Sequence, residues 1–505
     1  MKKHVISFIL TALMCFSGAA CNTQTEVKEV VAGKVTSKDG ITYIEVDGKP
    51  FQYIGMQFRT DGFMNCDYKK VDDLKPYFAA IADLNVPTVQ LPLEWRDIEV
   101  EEDKYDFTYI DKTLSFAEEY GLKVEYLWFS TNMCGETHSF HIPDYILDNS
   151  NTYARYNTTY TGQFWPIYGQ ICHMVFGGDN LLARETKVVE RIMRHIAERN
   201  ASLNYPNTLI GVQVHNEPDC FPLWRVGQNQ ISVLKDGRQI TYDEAAADVN
   251  KALDTVGKAF KSTGYKIYTR VNFALANVMN EYIESVYNLE GIDIVGDDPH
   301  ENNVSTITGA IREYSLTGNY PHIAENRATF ENTPSMILAT LALNGGYIMY
   351  EIATPETFLK NTAPDTDPDY GILNGDLSYR ANTQSVKDFL GMIKNAGGDI
   401  ITTSKEKFHA FNIEGNFPVG NYSKSIVTAK GNVDISTMRG AIGFALDCRD
   451  YLLVGATDVT QFTVSGAQNV TEGGFNGEQW VESETVVMEN NVFSARAYKV
   501  YKIKY

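Results

Sequence analysis

Glu217 is the residue whose type and surroundings point most directly to chemistry. It lies in Asn216-Glu217-Pro218, just after the apolar, β-branched run 209–214. Such a run is typical of a buried parallel strand, and a proline ends it because proline has no N–H for the ladder. A carboxyl group at that strand end is partly withdrawn from water, which raises its pKa toward that of a working acid. Glu217 is therefore a candidate general acid.

Glu325, in Tyr320-Pro-His-Ile-Ala-Glu-Asn-Arg327, is the candidate partner. It ends the seventh predicted strand, whereas Glu217 ends the fourth. Two carboxyl groups about 5–5.5 Å apart support glycoside hydrolysis by double displacement with net retention. Glu217 would protonate the leaving oxygen and then deprotonate water, and Glu325 would attack the anomeric carbon. Glu351, after the eighth predicted strand, is the main rival for the nucleophile.

Eight short apolar runs predict the strands that must bring these groups together. They cover residues 51–58, 88–93, 123–129, 209–214, 266–271, 293–295, 322–324 and 347–350. Helical patterns lie between them, at residues 72–84, 109–120, 182–200, 242–262, 278–287 and 334–343. Strands that alternate with helices form a parallel sheet, and eight repeats predict a closed (β/α)8 TIM barrel with its catalytic groups at the strands' carboxyl ends.

The barrel is predicted over residues 34–395, with a short β lead-in that turns at Asp47-Gly48. A long interval at residues 130–208 follows the third strand and is rich in aromatic residues. Long loops in compact domains are usually functional, so Trp165 could stack on a sugar ring; simple packing on the barrel is the equal alternative. Short strands separated by Gly, Asn and Asp over residues 400–505 predict an all-β, sandwich-like domain.

The formal net charge of the 505-residue chain is −20, which disfavours nucleic acid and acidic polymers and favours neutral substrates. Residues 1–21 are typical of a signal peptide, with Lys2-Lys3 before an apolar run. Small residues before Cys21 resemble a bacterial lipoprotein signal, and an ordinary signal peptide is the alternative. We expect residues 22–33 to be a tether, and the protein to be an exported outer-membrane lipoprotein, facing the periplasm or the cell surface, that contacts the membrane only through its lipid.

Cysteine spacing gives no sign of a metal or redox centre. After the signal segment and Cys21, an odd number remains: Cys66, Cys134, Cys172, Cys220 and Cys448. No C-x-x-C pair suggests zinc, and no phosphate loop or metalloprotease motif is present. We therefore expect no metal and no cofactor. One or two disulfides and buried free thiols both remain open.

Part of the chain resembles known glycosidases. Asn216-Glu217 at the fourth strand and Glu325 at the seventh resemble the clan of retaining (β/α)8 glycoside hydrolases. The run 86–95, the Tyr105-Asp-Phe107 segment and the run 114–124 are similar to families 35 and 42, the β-galactosidases, over about residues 51–350. His215 departs from the family 35 pattern, which carries a glutamate there. The resemblance implies an exo-acting, β-galactosidase-like enzyme on neutral β-linked oligo- or polysaccharides; the rivals are an endo-β-glycanase or β-mannosidase of the clan and a noncatalytic glycan-binding lipoprotein.

The remaining candidate substrate-binding residues follow from their places at strand ends. By its clan counterpart, Asn216 would bind the sugar 2-hydroxyl, with a strand-end cap as the alternative. Charged side chains after the first and second strands could form bidentate hydrogen bonds with sugar hydroxyls, or they could form salt bridges with each other. His300, after the sixth strand, could orient the nucleophile, whereas Asp297 and Asp298 are typical of a turn. The further candidates are Arg59, Asp61, Glu94, Trp95 and Tyr350.

Overall fold

The computed structural model describes residues 29–131, 137–138, 141–157, 171–227, 229, 233–274, 280–361, 369–415 and 420–505. The predicted signal segment with Cys21, the first part of the tether, Cys134 and Trp165 lie outside the described residues. Among the described cysteines, Cys66, Cys172 and Cys448 are free thiols. Within the described ranges, no helix has both the length and the apolar character needed to cross a bilayer.

Eight parallel strands close a barrel in chain order. They are β1 (Ile54–Gln57), β2 (Thr88–Pro92), β3 (Lys123–Trp128), β4 (Leu209–Val214), β5 (Tyr268–Phe273), β6 (Ile294–Asp297), β7 (His322–Arg327) and β8 (Gly346–Tyr350). The prediction of a (β/α)8 barrel is confirmed. The carboxyl ends of all eight strands open at one end of the barrel, which we call the mouth, so side chains that follow different strands meet there.

Helices surround the barrel and connect its strands. They are α1 (Thr60–Asn65), α2 (Lys75–Asp83), α3 (Trp95–Ile98), α4 (Thr108–Tyr120), α5 (Asp144–Leu147), α6 (Asp179–Ser202), α7 (Arg225–Gly227), α8 (Tyr242–Phe260), α9 (Asn280–Tyr287), α10 (Val304–Glu313), α11 (Thr333–Leu341), α12 (Glu356–Asn361), α13 (Thr383–Asn395) and α14 (Asp399–Thr402). The sequence analysis did not predict α10. Its start is marked by Asn303, whose side chain accepts hydrogen bonds from the backbone N–H groups of Ser305 and Thr306.

The chain before β1 closes the opposite end of the barrel. Gly33–Lys38, Ile41–Val46 and Lys49–Phe51 form a three-stranded antiparallel sheet. Gly33 lies so close to β4 that a Cβ atom there would be 2.2 Å from the carbonyl oxygen of Ile210. Only glycine allows this approach, which fixes the small sheet against the amino-terminal end of β4.

The long interval after β3 is described in part. Tyr156–Asn157 pairs with Val233–Leu234, which follow β4 in the chain. Tyr153 and Tyr156 are 8% and 6% exposed. These two aromatic side chains therefore pack against the protein, whereas the region around Trp165 lies outside the described residues.

The carboxyl-terminal region is all β and antiparallel, as predicted. In spatial order, the first sheet contains Phe408–Ile413, Ala441–Asp447, Tyr451–Ala456, Lys499–Lys504, Asn469–Asn476 and Gln479–Val486. The second contains Tyr422–Thr428, Gly431–Thr437, Thr460–Val464 and Val492–Ala495. Phe411 and Val454 of the first sheet share one apolar core with Val433 and Phe462 of the second, the arrangement of a sandwich. Helix α13 lies against the first sheet.

A buried ion pair lies inside the barrel. Arg270 of β5 donates through Nε to Glu125 of β3 at 2.6 Å, and both side chains are fully buried. Gln90 and Tyr268 also donate to Glu125, each at 2.6 Å. Gly211 makes room for this layer, since a Cβ atom there would lie 2.2 Å from the Tyr268 ring. At the centre of the barrel, the Glu125 carboxylate therefore connects three buried strands, β2, β3 and β5.

We expect Arg270→Met to lower the free energy of unfolding by about 3–5 kcal/mol, because it leaves the Glu125 carboxylate buried without its cation. Urea unfolding followed by circular dichroism measures this. Lys104→Met is the matched control, because it breaks an exposed pair with Glu101 and should change stability little. Equal effects of the two substitutions would contradict a structural role for the buried pair.

Candidate active site

Glu217 and Glu325 meet at the mouth. Glu217 follows β4 and Glu325 lies near the end of β7. One carboxylate oxygen of each and a ring nitrogen of His300 all lie within 4.8 Å of one another. The two glutamates are 7% and 8% exposed. Residues 217 and 325, 108 positions apart in sequence, thus share one small, largely dry space.

A bulge in β7 turns Glu325 toward the mouth. The pairing register between β7 and β8 shifts between Ile323 and Asn326. Before the shift, His322 points into the barrel, where its ring fills the space above Gly296 of β6. After it, Asn326 points outward and lies 3.6 Å from the sulfur of Met336 on α11. Before the bulge the even-numbered side chains of β7 face the inside of the barrel, and after it the odd-numbered side chains do. Glu325 therefore faces inward.

Backbone strain also marks the site. Glu217 has φ +47° and His300 has φ +46°, both in the left-handed region that residues other than glycine rarely adopt. Such conformations cost about 1–3 kcal/mol each and persist only where surrounding structure fixes them. Two of the three side chains that meet at the mouth are therefore held in costly backbone conformations.

Glu325 is held from two sides. Gln57 of β1 donates through Nε2 to Oε1 at 2.7 Å, and His300 Nε2 lies 3.7 Å from Oε2. The His300 ring in turn packs edge-on against Tyr350, with 5.8 Å between centroids. Desolvation in the mouth lowers the pKa of His300, and the neighbouring Glu325 opposes this. Sequence reasoning missed Gln57, although a glutamine at the end of a short buried strand is a usable signal.

Asn216 is oriented by two buried amides. Its Oδ1 accepts from Gln213 Nε2 and from Asn272 Nδ2, both at 2.9 Å. Asn272 Oδ1 accepts the backbone N–H of Glu217 at 3.3 Å. With its oxygen engaged by two donors, the Asn216 amide is fixed in one orientation beside Glu217. Asn272, a polar residue inside the apolar strand β5, was missed.

Arg59 and Asp61 bind each other. Arg59 donates through Nε to Asp61 Oδ1 at 2.9 Å and through Nη2 to Oδ2 at 2.6 Å. Its Nη1 lies 3.4 Å from the hydroxyl of Tyr350, and its guanidinium lies over Phe129. Of the two alternatives for this pair, the structure has the salt bridge. The bidentate pair holds Arg59 beside Tyr350.

Glu94 is the acidic group at the mouth with the fewest donors. It is 4% exposed, and neither of its carboxylate oxygens has a hydrogen-bond partner among the described residues. His141 Nε2 lies 3.8 Å away. Burial raises the pKa of Glu94 well above its usual range, and the charges of Asp61 and Asp97 raise it further. The buried carboxyl group of Glu94 is therefore stabilised either by its own proton or by hydrogen bonds donated by hydroxyl groups.

Trp95 is a correction. We expected it to contact substrate, but it is fully buried and its indole N–H donates to Glu99 at 2.8 Å. Its ring lies 6.1 Å from that of Trp128. Trp95 therefore supports the wall beneath Glu94 and offers no face for a sugar.

Glu351 lies outside the cluster of Glu217, Glu325 and His300. Thr354 donates to its Oε1 at 3.0 Å, and its charged neighbours are Arg59, Asp61 and Asp369. The group of side chains around Glu217 contains Glu325 and His300. Burial raises the pKa of Glu351 to about 8. This geometry favours Glu325 over Glu351 as the partner of Glu217.

Two clusters in the described part of the chain bring together enough donor atoms for a metal ion. One is Glu217, His300 and Glu325, and the other is Asp61, Glu94 and His141. In the second, Arg59 already occupies both oxygens of Asp61 and adds a positive charge beside any cation. That arrangement fits neutral hydroxyl donors better than a divalent ion.

Residues 248–418 match a family described as "Domain of unknown function (DUF4978)". The matched segment contains Glu325 and excludes Glu217. No curated protein matches the chain in sequence.

Solved structures with a similar fold include the exo-β-1,4-mannosidase Op5Man5 from Opitutaceae bacterium strain TAV5, with 13% identity and a TM-score of 0.49 over 71% of this chain and 62% of that one. A β-galactosidase from the psychrophilic Marinomonas ef1 has 10% identity and a TM-score of 0.47 over 70% and 62%. A family 39 glycoside hydrolase from the gut symbiont Bacteroides cellulosilyticus WH2 has 10% identity and a TM-score of 0.45 over 92% and 84%. The chain thus spans less than two thirds of the length of the first two proteins. The substrates in these names are those of the named proteins.

We expect Glu351→Gln to gain stability relative to wild type as pH rises. In the unfolded chain Glu351 ionises near its ordinary pKa, whereas in the native protein it keeps its proton up to about pH 8, so wild-type stability falls across that window. Glutamine stays neutral and avoids this loss. Melting temperatures at several pH values between about 4 and 8 measure the difference.

Glu478→Gln is the control, because that side chain is 88% exposed. A stability gap between wild type and Glu351→Gln that stays constant with pH would contradict a protonated Glu351.

Proposed function

We propose that the protein is a retaining glycoside hydrolase that acts on neutral β-linked glycans. The observation that supports this best is the approach of the Glu217 and Glu325 carboxylates to within 4.8 Å. Retaining enzymes keep their two carboxyl groups about 5–5.5 Å apart, whereas inverting enzymes need about 6.5–9.5 Å to admit a water molecule. The spacing favours double displacement.

In the proposed reaction, Glu325 attacks the anomeric carbon while Glu217 gives its proton to the departing oxygen. A covalent glycosyl ester on Glu325 results. Glu217, now ionised, takes a proton from water, and the resulting hydroxide displaces Glu325 and restores both groups. Gln57, which donates to Glu325, would hold one oxygen of the nucleophile in place. By its clan counterpart, Asn216 would bind the sugar 2-hydroxyl.

We infer that the sugar's remaining hydroxyls bind toward Glu94. A continuous set of side chains leads from the catalytic pair to this residue through Tyr350, Arg59 and Asp61. A set of binding groups that ends at a buried carboxylate would suit a terminal sugar and therefore exo action, of the β-galactosidase-like kind that the resemblance to families 35 and 42 implies. An endo-β-glycanase or β-mannosidase of the clan is the second candidate, and a noncatalytic glycan-binding protein is the third.

We also propose that the protein is exported and held at the outer membrane by a lipid on Cys21. The support is the N-terminal pattern alone: a positive start, an apolar run and small residues before the cysteine.

We expect Glu217→Ala and Glu325→Ala each to lower kcat/KM on aryl β-glycosides by several orders of magnitude, since each removes a group that acts in the transition state. Azide should restore turnover in Glu325→Gly, because a small anion can occupy the space of the lost nucleophile. Glu351→Gly is the matched control and should keep most activity. Azide rescue of Glu351→Gly, and none of Glu325→Gly, would move the nucleophile to Glu351; wild-type binding without turnover would favour the noncatalytic candidate.

We expect Glu94→Gln to lower kcat/KM by about 10- to 100-fold on the preferred sugar, because a charged acceptor of hydroxyl hydrogen bonds becomes a neutral one. A series of monodeoxy aryl glycosides locates the contact. The loss should shrink markedly for the one analogue that lacks the hydroxyl bound by Glu94. An equal loss on every analogue would instead mean that Glu94 only supports the fold of the mouth.

A further inference from the structure

A partly exposed aromatic side chain, Tyr370, lies next to the groups at the mouth, and neither the sequence analysis nor the proposed reaction uses it. Its ring packs against the ring of Tyr350, with 5.5 Å between centroids. The Tyr350 ring also packs on His300, with 5.8 Å between centroids, and His300 Nε2 lies 3.7 Å from Glu325. An unbroken series of contacts therefore connects Tyr370 to the candidate nucleophile.

The backbone of Tyr370 is fixed against the chain that follows β8. Its carbonyl oxygen accepts the backbone N–H of Glu351 at 3.2 Å, and its own N–H donates to Thr354 Oγ1 at 3.0 Å. The next residue, Gly371, also donates its N–H to Thr354 Oγ1 at 3.0 Å. A Cβ atom at Gly371 would lie 2.7 Å from the Cα atom of Ala353, so only glycine allows the two segments to come this close. The position of Tyr370 at the mouth is thus set by the main chain.

Arg327, the last residue of β7, holds the Tyr370 ring. Its guanidinium lies over the ring, 5.0 Å from the centroid. The guanidinium is itself fixed, because Nε donates to Thr329 Oγ1 at 2.7 Å and Nη2 donates to the carbonyl oxygen of Asp369 at 3.1 Å. A cation over an aromatic face is attracted by the negative charge of that face. A ring that is already ordered by the protein and still reaches solvent is a preorganised surface, since a ligand that packs on it does not have to order it first.

Tyr350 separates the Tyr370 ring from the groups to which we assign the glycone. The hydroxyl of Tyr350 lies 3.4 Å from Arg59 Nη1, and from there the polar groups lead through Asp61 to Glu94. The ring of Tyr350, by contrast, contacts Tyr370. A glycoside extends in two directions from the bond that is cleaved, one toward the glycone and the other toward the departing group. With the glycone toward Glu94, the Tyr370 side is left for the departing group.

We propose that Tyr370 is a binding residue for the departing group of the substrate, and that its ring packs on a cyclic group attached to the glycosidic oxygen. The inference rests on the proposed function and deepens it. The C–H groups on the face of a sugar ring, like the edge of an aryl ring, are attracted to the negative face of an aromatic side chain. Tyr370 therefore favours substrates whose departing group is a ring over substrates whose departing group is small.

The test compares two substrates that share a glycone and differ in the departing group. The aryl β-glycoside of the sugar that wild type prefers carries a ring, whereas the β-glycosyl fluoride of the same sugar releases a fluoride ion that is too small to reach Tyr370. We expect Tyr370→Ala to lower kcat/KM on the aryl glycoside by about 3- to 10-fold and to change kcat/KM on the fluoride by less than about twofold. Tyr370→Phe keeps the ring and should stay within about twofold of wild type on both substrates.

Activity on the fluoride also shows that each variant is folded. Tyr379→Ala is the matched control, because Tyr379 lies nine positions further along the chain, is 39% exposed and donates its hydroxyl to Asp83 at 2.5 Å. This substitution should change neither rate. Equal losses of Tyr370→Ala on the two substrates would overturn the proposal, since they would mean that Tyr370 acts on the glycone or supports the fold of the mouth. Unchanged activity of Tyr370→Ala on the aryl glycoside would overturn it as well.

A wild-type protein that hydrolyses neither substrate would refute the proposed function but would leave the role of Tyr370 open to a binding measurement. Titration calorimetry with the phenyl and the methyl β-glycoside of one sugar makes the same comparison without turnover. Tyr370→Ala should weaken binding of the phenyl glycoside by about 3- to 10-fold and leave binding of the methyl glycoside unchanged. Equal results for wild type and Tyr370→Ala with the phenyl glycoside would overturn the assignment of Tyr370.

Discussion

The burial of acidic side chains is the constraint on which this structure depends. At the mouth, Glu217, Glu325, Asp298, Glu94 and Glu351 are all at most 8% exposed, and a buried carboxylate is costly unless donors or a proton compensate it. The compensation differs at each position. Gln57 donates to Glu325, Asn272 to Asp298 and Thr354 to Glu351, while Arg59 neutralises Asp61 outright. Neither oxygen of Glu94 has such a donor in the described part of the chain, which makes it the position where a substrate has most to supply.

The donors come from the inside of the barrel. Most TIM barrels fill their interior with branched apolar side chains, whereas here the inward positions of the strands carry Gln57, Gln213 and Asn272 above a layer built on Glu125 and Arg270. The lower layer explains how the upper one is tolerated. Because Arg270, Gln90 and Tyr268 all donate to Glu125, the strands that carry them are fixed relative to one another. The amides above, on β1, β4 and β5, then have defined positions and can serve as donors of fixed direction. Preorganised donors of this kind stabilise charge without having to reorganise during a reaction.

Much of the architecture could be predicted because it depends on local patterns. Apolar runs gave all eight barrel strands, and Pro218 marked the end of β4. Helix α10 was missed because its cap, Asn303, is a weaker signal than a periodic apolar face. At the site, strand counting brought Glu217 and Glu325 to one end of the barrel, but it could not show that the β7 bulge turns Glu325 inward, since a bulge changes facing without changing the apolar pattern. Trp95 was misjudged because a tryptophan after a strand can equally stack on a ligand or pack in a wall. Asn272 was missed, and Asp298 was interpreted as a turn residue, because their contacts run across strands.

The same constraint separates the two catalytic roles that we propose. Glu217 and Glu325 are equally buried, so burial alone cannot make one an acid and the other a nucleophile. Their neighbours differ. Gln57 donates to Glu325 at 2.7 Å, and the Nε2 of His300 lies 3.7 Å from the same carboxyl group, beyond hydrogen-bond distance. Beside Glu217, the amides of Asn216 and Asn272 are bound to each other and to the backbone N–H of Glu217, so they orient the residue more than they stabilise its charge. The first step of a retaining hydrolase requires a proton on one of the two carboxyl groups and a free carboxylate on the other, and the amide of Gln57 lies beside the group to which we assign the attack.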